Sequence, residues 1–287
     1  MTQPNLAKGI VLFLFSYFLL AVIGALVKSL SATVSTEVIS FWQFLILWLG
    51  TLPMAWKAGG FKILESRHPD LIAVRVISGI LAYFFFYHAV KQIPLIDSTL
   101  LLNAAPLYLP LIAYLWGHEH IDPKLWIGII IGFVGIFVIL RPTSGIFQVT
   151  ALLGMLSGLL SGICMIAIRR FVQFDPPATL LFYYGLVGTL IFLPAAITDS
   201  GSHSDLIWIQ LLLVGVCMLL MQYLLSLAFE YASAIVLGPL SYISVIFSGV
   251  FAWIFWGNTP DIWTLLGTFL VVFGAITTIW LSQRKSA

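Results

Sequence analysis

Charge is what this sequence has least of. Only 8% of its 287 residues are Asp, Glu, Lys or Arg, 61% are hydrophobic, and the mean hydropathy is +1.09. A soluble domain of ordinary composition carries about 25% charge, and 13 basic and 11 acidic side chains cannot coat a globule of this size. The shortage excludes a water-soluble enzyme, a disordered chain and a nucleic-acid binder, and it places the chain in a bilayer. Long polar stretches are also lacking: the longest runs from Trp56 to Asp70, which leaves no room for a soluble domain. Cysteine is scarce. Cys164 and Cys217 lie inside apolar runs, where they read as small hydrophobic side chains rather than a disulfide or metal site. No small-residue cleavage site follows the first apolar run, so that run is expected to remain as a helix. There is no Gly-rich phosphate loop, nucleophile elbow or hydrolase-type acid pair.

What is present is a series of apolar runs broken by short polar or Pro/Gly segments. They predict ten spanning helices near 8–28, 36–55, 71–90, 96–116, 124–140, 151–169, 178–197, 206–228, 233–256 and 262–281. The expected fold class is therefore all-α integral membrane. With the N-terminus inside, the basic residues Lys8, Lys57, Lys62, Arg67, Arg75, Lys124, Arg169, Arg170, Arg284 and Lys285 fall on the cytoplasmic side. Lys28, Lys91 and Arg141 fall outside, whereas the acidic residues divide almost evenly. A bias confined to basic residues predicts cytoplasmic N- and C-termini. Trp56, Trp116, Trp126 and Trp280 then mark cytoplasmic helix ends and Trp208, Trp256 and Trp263 outer ones, while Trp42, Trp48 and Trp253 lie deeper.

The two halves resemble each other. Trp116-Gly117, Gly128 and Gly135 match Trp256-Gly257, Gly267 and Gly274 at an offset of 139–140 residues. Phe41-Trp42, Pro53 and Lys28 match Phe182-Tyr183, Pro194 and Arg169 at 141, and Tyr83 matches Tyr223 at 140. Five helices per half is an odd number, so the second half enters the membrane from the opposite side. Inverted repeats are the architecture by which secondary transporters expose one site to either face. The alternative is a duplication kept only for folding, as in a scaffold.

These residues carry a resemblance. Tyr87-His88-Ala89-Val90-Lys91-Gln92-Ile93-Pro94, Asn103-Ala104-Ala105-Pro106, Gly117-His118-Glu119 and the Gly128–Gly135 segment resemble the drug/metabolite transporter superfamily, EamA type, over nearly the whole chain. Lys28 matches the family's basic residue at the end of the first helix, whereas Gly257-Asn258 departs from the Gly-Glu pair that ends the fourth helix of a family repeat. The resemblance implies ten helices in two EamA-like repeats, here 1–143 and 144–287, with the fifth and tenth as outer supports around a central cavity. It implies transport by alternating access of a small organic metabolite across the inner membrane. Family members include amino-acid exporters, S-adenosylmethionine uptake carriers and riboflavin carriers.

Polar groups inside apolar spans are the candidates for substrate contact, because burying them unpaired costs free energy. In the first half these are Trp42 and Gln43, then Tyr83, Tyr87 and His88, then Asn103 and Tyr108, which straddle the helix-breaking Pro106. In the second half they are Tyr183 and Tyr184, then Gln222 and Tyr223, then Ser241 and Tyr242. Each has a plainer reading, as packing for the aromatics or as interhelical hydrogen bonds for Gln43, Asn103, Gln222 and His88. Glu37, Asp97, Glu119 and Glu230 all fall at helix ends, so no carboxylate relay is expected at mid-membrane. No Lys or Arg is expected there either, which favours a neutral, zwitterionic or cationic substrate held by aromatic faces, amides and hydroxyls. His118-Glu119-His120 cannot converge on a metal from a helix and reads as a loop. The expected partners are a small molecule and membrane lipid, with no nucleic acid, no cofactor and no metal, in a monomer or a homodimer. The rivals are an integral-membrane enzyme acting on lipid or prenyl intermediates and a non-transporting scaffold.

Overall fold

The structure is a computed structural model, described for residues 6–57, 65–117, 124–140, 149–199, 201, 203–232 and 237–283. His118-Glu119-His120, Lys62, Arg141, Arg284 and Lys285 lie outside the described residues. Among those described there is helix and connecting turn but no strand, as the bilayer demands of a chain whose backbone polar groups must be satisfied internally. The helices are α1 (Leu6–Leu30), α2 (Thr36–Lys57), α3 (Pro69–Gln92), α4 (Leu95–Leu102), α5 (Ala105–Gly117) and α6 (Leu125–Leu140). They continue as α7 (Val149–Phe171), α8 (Pro177–Thr198), α9 (Asp205–Tyr231), α10 (Ile243–Trp256) and α11 (Ile262–Gln283). Six of them (α1, α2, α3, α7, α8 and α9) are long and apolar enough to cross a membrane, and the others are shorter apolar helices. The protein is a multi-pass helical membrane protein.

Prolines set several boundaries. Pro69 opens α3 and Pro177 opens α8, where a missing N–H costs nothing. The span expected over 96–116 is broken: α4 ends at Leu102 and α5 begins at Ala105, because Pro106 has no N–H to offer the Leu102 carbonyl. At the break the Asn103 side chain adds a second donor, at 2.7 Å, to the Thr99 carbonyl that its own backbone N–H also reaches. The span expected over 233–256 likewise begins, in its described part, with a 3-10 turn at Gly238–Tyr242 before α10. Gly257 closes α10 in the left-handed region (φ +65°), donating to Trp253 O at 3.0 Å.

Four helix pairs form the body: α1 with α9, α3 with α7, α2 with α8, and α6 with α11. Glycines let the last two pairs approach closely. A Cβ at Gly188 would lie 2.4 Å from the Phe44 ring and one at Gly185 would lie 2.8 Å from Leu47 and Trp48. A Cβ at Gly135 would lie 2.7 Å from Gly267 O and one at Gly274 would lie 2.6 Å from Gly128 O. Contacts that climb one helix while descending the other show that both pairs run antiparallel. Large apolar side chains such as Leu115, Leu190, Phe255 and Phe269 point outward from the bundle, as a lipid-facing surface requires.

Two basic side chains tie helix ends together. Lys28 Nζ, at the end of α1, donates to Val90 O at 2.9 Å and Ile93 O at 3.0 Å, where α3 stops. Arg169, at the end of α7, donates to Phe229 O near the end of α9. Between α8 and α9, the His203 imidazole lies 2.7 Å from Asp199 and holds its carboxyl below the usual carboxylate range.

Candidate functional site

Where α1, α3, α7 and α9 converge on the α4–α5 break they enclose a cavity of about 30 Å³, enough for a water molecule. Tyr17 from α1 and Tyr83 and Gly79 from α3 form one part of its wall. Asn103, Ser161, Cys164 and Gln222 supply its polar and thiol groups, and Met165 and Met221 its softer ones. Asn103 lies at the break and donates from Nδ2 to Ser244 Oγ at 2.9 Å, linking α4 to α10. Next to it, Ser248 Oγ donates to Thr99 Oγ1 at 3.0 Å. Tyr83 OH points to Met221 Sδ at 3.5 Å. Tyr87, one turn further along α3, donates to Gln43 Oε1, and both are fully buried. The Tyr83 and Tyr87 rings meet edge to face with centroids 6.0 Å apart.

The residue that sequence reasoning missed is Arg75. The positive-inside count treats it as a flanking charge, yet its exposure is 0%. Nη2 donates to Gln222 Oε1 at 2.7 Å, and the guanidinium carbon lies 4.0 Å from the centre of the Tyr184 ring. Gly79 makes this possible: a Cβ there would lie 2.0 Å from Arg75 Nη1. The reading of Arg75 as a flanking charge at the membrane surface is therefore corrected: it is buried in the bundle. The signal was the spacing Arg75-x-x-x-Gly79, which leaves a vacancy one turn above the arginine.

Of the residues singled out from sequence, Tyr83, Asn103 and Gln222 line the cavity, whereas Tyr184 packs on Arg75 behind the wall. Gln43 and Tyr87 form a buried pair beside it. The others lie elsewhere. Trp42 packs edge-on against Trp208, with centroids 5.2 Å apart. His88 lies 3.0 Å from Phe84 O on its own helix and 3.7 Å from Glu37. Tyr108 packs on Phe133, Tyr183 on Phe182, and Tyr223 against the periphery of the core. Tyr242 is buried in a second cluster with Leu100, Val245 and Val271, and the Ser241 carbonyl accepts from Ser244. Trp48 packs beside Phe182 and Gly185, whereas Trp253 is exposed on the lipid side. Among the described residues no cluster of His, Cys, Asp or Glu could hold a metal.

Comparisons with known proteins agree with this architecture. The profile of the EamA-like transporter family matches residues 7–141 and again 148–280. The chain is 30% identical to the pseudopaline exporter CntI of Pseudomonas aeruginosa, over 99% of each protein. It is 25% identical to a riboflavin transporter of Brucella anthropi, over 83% of this chain and 86% of that protein. It is 24% identical to an S-adenosylmethionine uptake transporter of Rickettsia felis, over 94% of this chain and 93% of the other. A solved crystal structure with 18% identity superposes with a TM-score of 0.70, covering 98% of this chain and 99% of that one.

Proposed function

From the premise that this chain belongs to the EamA-like transporter family and is a transporter rather than an enzyme, we propose that it carries a small organic metabolite across the inner membrane by alternating access. Ten membrane crossings form two inverted repeats, 1–143 and 144–287, with both termini cytoplasmic. The substrate binds at the central cavity, on Tyr83, Asn103 and Gln222, with Tyr87, Gln43 and Tyr184 behind them.

The observation that carries the reading is a reciprocity of contacts. At the repeat offset of 141, Phe44 corresponds to Gly185 and Leu47 to Gly188. The contact of Phe44 with Gly188 is therefore the counterpart of the contact of Leu47 with Gly185. At an offset of 139, the contact of Gly135 with Gly267 is the counterpart of that of Gly274 with Gly128. Such isologous contacts are the signature of a two-fold axis, and equivalent helices running antiparallel support an axis in the membrane plane. Asn103 and its counterpart Ser244 bond to each other directly, which supports a site at the repeat interface. Lys28 and Arg169 bond the carbonyls ending equivalent helices, in keeping with the same symmetry. Exchange of two near-equivalent arrangements of the halves would then open the cavity alternately to each face.

The relatives are named for pseudopaline, riboflavin and S-adenosylmethionine, which have in common only that they are small organic metabolites, the substrate class proposed here. The test is flux in proteoliposomes. Saturable uptake is expected, and Tyr83→Ala and Asn103→Ala should each abolish most of it while leaving the purified protein folded and monodisperse. Flux unchanged by every cavity substitution would overturn the site.

A further inference from the structure

Resting on the transporter reading, we propose that Arg75 is the anchor for a carboxylate on the substrate, so that the carried metabolite is an organic acid or a zwitterion presenting its carboxylate to α3. A guanidinium remains charged at any physiological pH, and this one has no solvent exposure. The titratable groups that face it are Cys164, Tyr184 and Tyr83, none of them a carboxylate. An uncompensated cation at such a position is costly. The bundle retains it with one amide acceptor and one aromatic face, Gln222 and Tyr184.

The hydrogen-bonding capacity left over has the shape of a carboxylate. Among the described residues, Nε and Nη1 make no hydrogen bond of good geometry and Nη2 makes one of the two it can make. The Tyr184 hydroxyl, itself without a well-formed partner, lies near the guanidinium as a weak competitor that a carboxylate would displace. Whichever Nη2 hydrogen Gln222 takes, the other forms a parallel donor pair with Nε or with Nη1. That pair is the fork that receives a carboxylate through two bonds. A single cation matches one negative charge, whereas a phosphate dianion would be left half neutralised.

Gly79 lines the cavity and Nη1 packs into the space left by its missing side chain. The guanidinium thus lies directly behind the cavity wall, with Gly79 and its partner Gln222 as the lining residues that separate it from the cavity. Tyr17, Tyr83 and Asn103 line the same cavity and offer surfaces for an apolar or aromatic body with a hydrogen-bonding group. Gln222 acts as the stand-in acceptor when no substrate is bound, which lets the empty carrier reorient without an orphaned charge.

The test uses purified full-length protein and matched pairs of probes: tryptophan and tryptophanamide, hippurate and hippuramide, S-adenosylmethionine and its methyl ester. Thermal stabilisation and proteoliposome uptake are measured for wild type, Arg75→Gln and Arg75→Lys, with size-exclusion profiles as the control for folding. The expected result is that at least one acid stabilises and is transported while its neutral partner is not. Arg75→Gln should weaken that response about 100-fold, as loss of a buried charge pair does, and Arg75→Lys, which keeps charge without the fork, should fall between. Equal handling of acid and amide, an acid response intact in folded Arg75→Gln, or no acid response from wild type would each overturn the proposal. Uptake of only the neutral members would do so while leaving transport standing, whereas no uptake of any probe would count against the transporter reading as well.

Discussion

A basic side chain inside an apolar helix must end on something polar, and three residues here do so in different ways. Lys28 and Arg169 reach backbone carbonyls at the ends of neighbouring helices, which cannot otherwise be satisfied within the helix. Arg75 reaches a side-chain amide and an aromatic face. Lys28→Met should therefore leave the Val90 and Ile93 carbonyls without their charged donor and cost about 2 kcal/mol, seen as a lowered thermal midpoint in detergent; an unchanged midpoint would mean that water replaces the ammonium freely. The pairing of Lys28 with Arg169 was legible in sequence as a matched offset. The burial of Arg75 had only the spacing from Gly79 to signal it. Six residues beyond Pro69 it looks like any flanking charge, and its depth depends on the room that Gly79 leaves and on two helices far away in sequence. A surface counterpart is the Asp199–His203 pair. Because His203 holds the Asp199 carboxyl below its usual range, the stabilisation is complete above about pH 4, where a free carboxylate titrates, and is lost as pH falls through the lowered value. The difference in midpoint between wild type and Asp199→Asn should thus shrink below that range, and His203→Ala should reduce it to the smaller part supplied by the Gly201 N–H.

At the scale of elements, hydropathy reports length and lateral position well, because every spanning segment must be apolar for about 20 residues. The ends of α3 and α8 fall within two residues of expectation, where Pro69 and Pro177 mark them. Breaks inside spans were harder to read. Pro106 read as a kink within one expected span, where the helix in fact breaks, and the 3-10 turn before α10 was counted inside a single span although Gly238-Pro239 lies in it, because hydropathy is blind to backbone geometry. The pairing of α6 with α11 rests on glycines that were visible as packing residues, although their partners were not. A Cβ at Gly274 would sit 2.4 Å from the Gly132 backbone nitrogen, and backbone cannot yield as a side chain can. Gly274→Ala should separate the two helices and cost about 1–3 kcal/mol. At Gly249 the nearest atom is the flexible end of Ile96, 3.2 Å away, so Gly249→Ala should be nearly neutral. If α6 and α11 are supports outside the cavity, Gly274→Ala will lower the thermal midpoint while leaving the KM for transport unchanged. A changed KM would bring these helices into the substrate path.

For the whole molecule, the scarcity of charge that defines its class also carries the proposal for its orientation. Basic residues assigned to one side outnumber those on the other by ten to three, and Arg75 belongs to that side even though it is buried, because it lies about 9 Å from the start of α3 at 1.5 Å per residue. Gln222, its partner, lies nine residues before the end of α9, and in the proposed inverted topology α3 and α9 enter from opposite sides and bring these groups to a similar depth. The orientation is tested by labelling intact cells with a membrane-impermeant maleimide. Cys164 is buried and Cys217 half-buried in the bundle, so the wild-type background should be nearly silent. Gly201→Cys, in the exposed turn between α8 and α9, should label from outside, whereas Arg67→Cys, exposed before α3, should label only after permeabilisation. Removing Arg67 leaves nine basic residues against three, so the substitution does not itself abolish the bias it reports. The reverse pattern would invert the orientation and place Arg75 near the outer face, so that its carboxylate would be captured from outside first. Labelling at both positions in intact cells would mean a mixed insertion, which a ten-to-three bias does not permit.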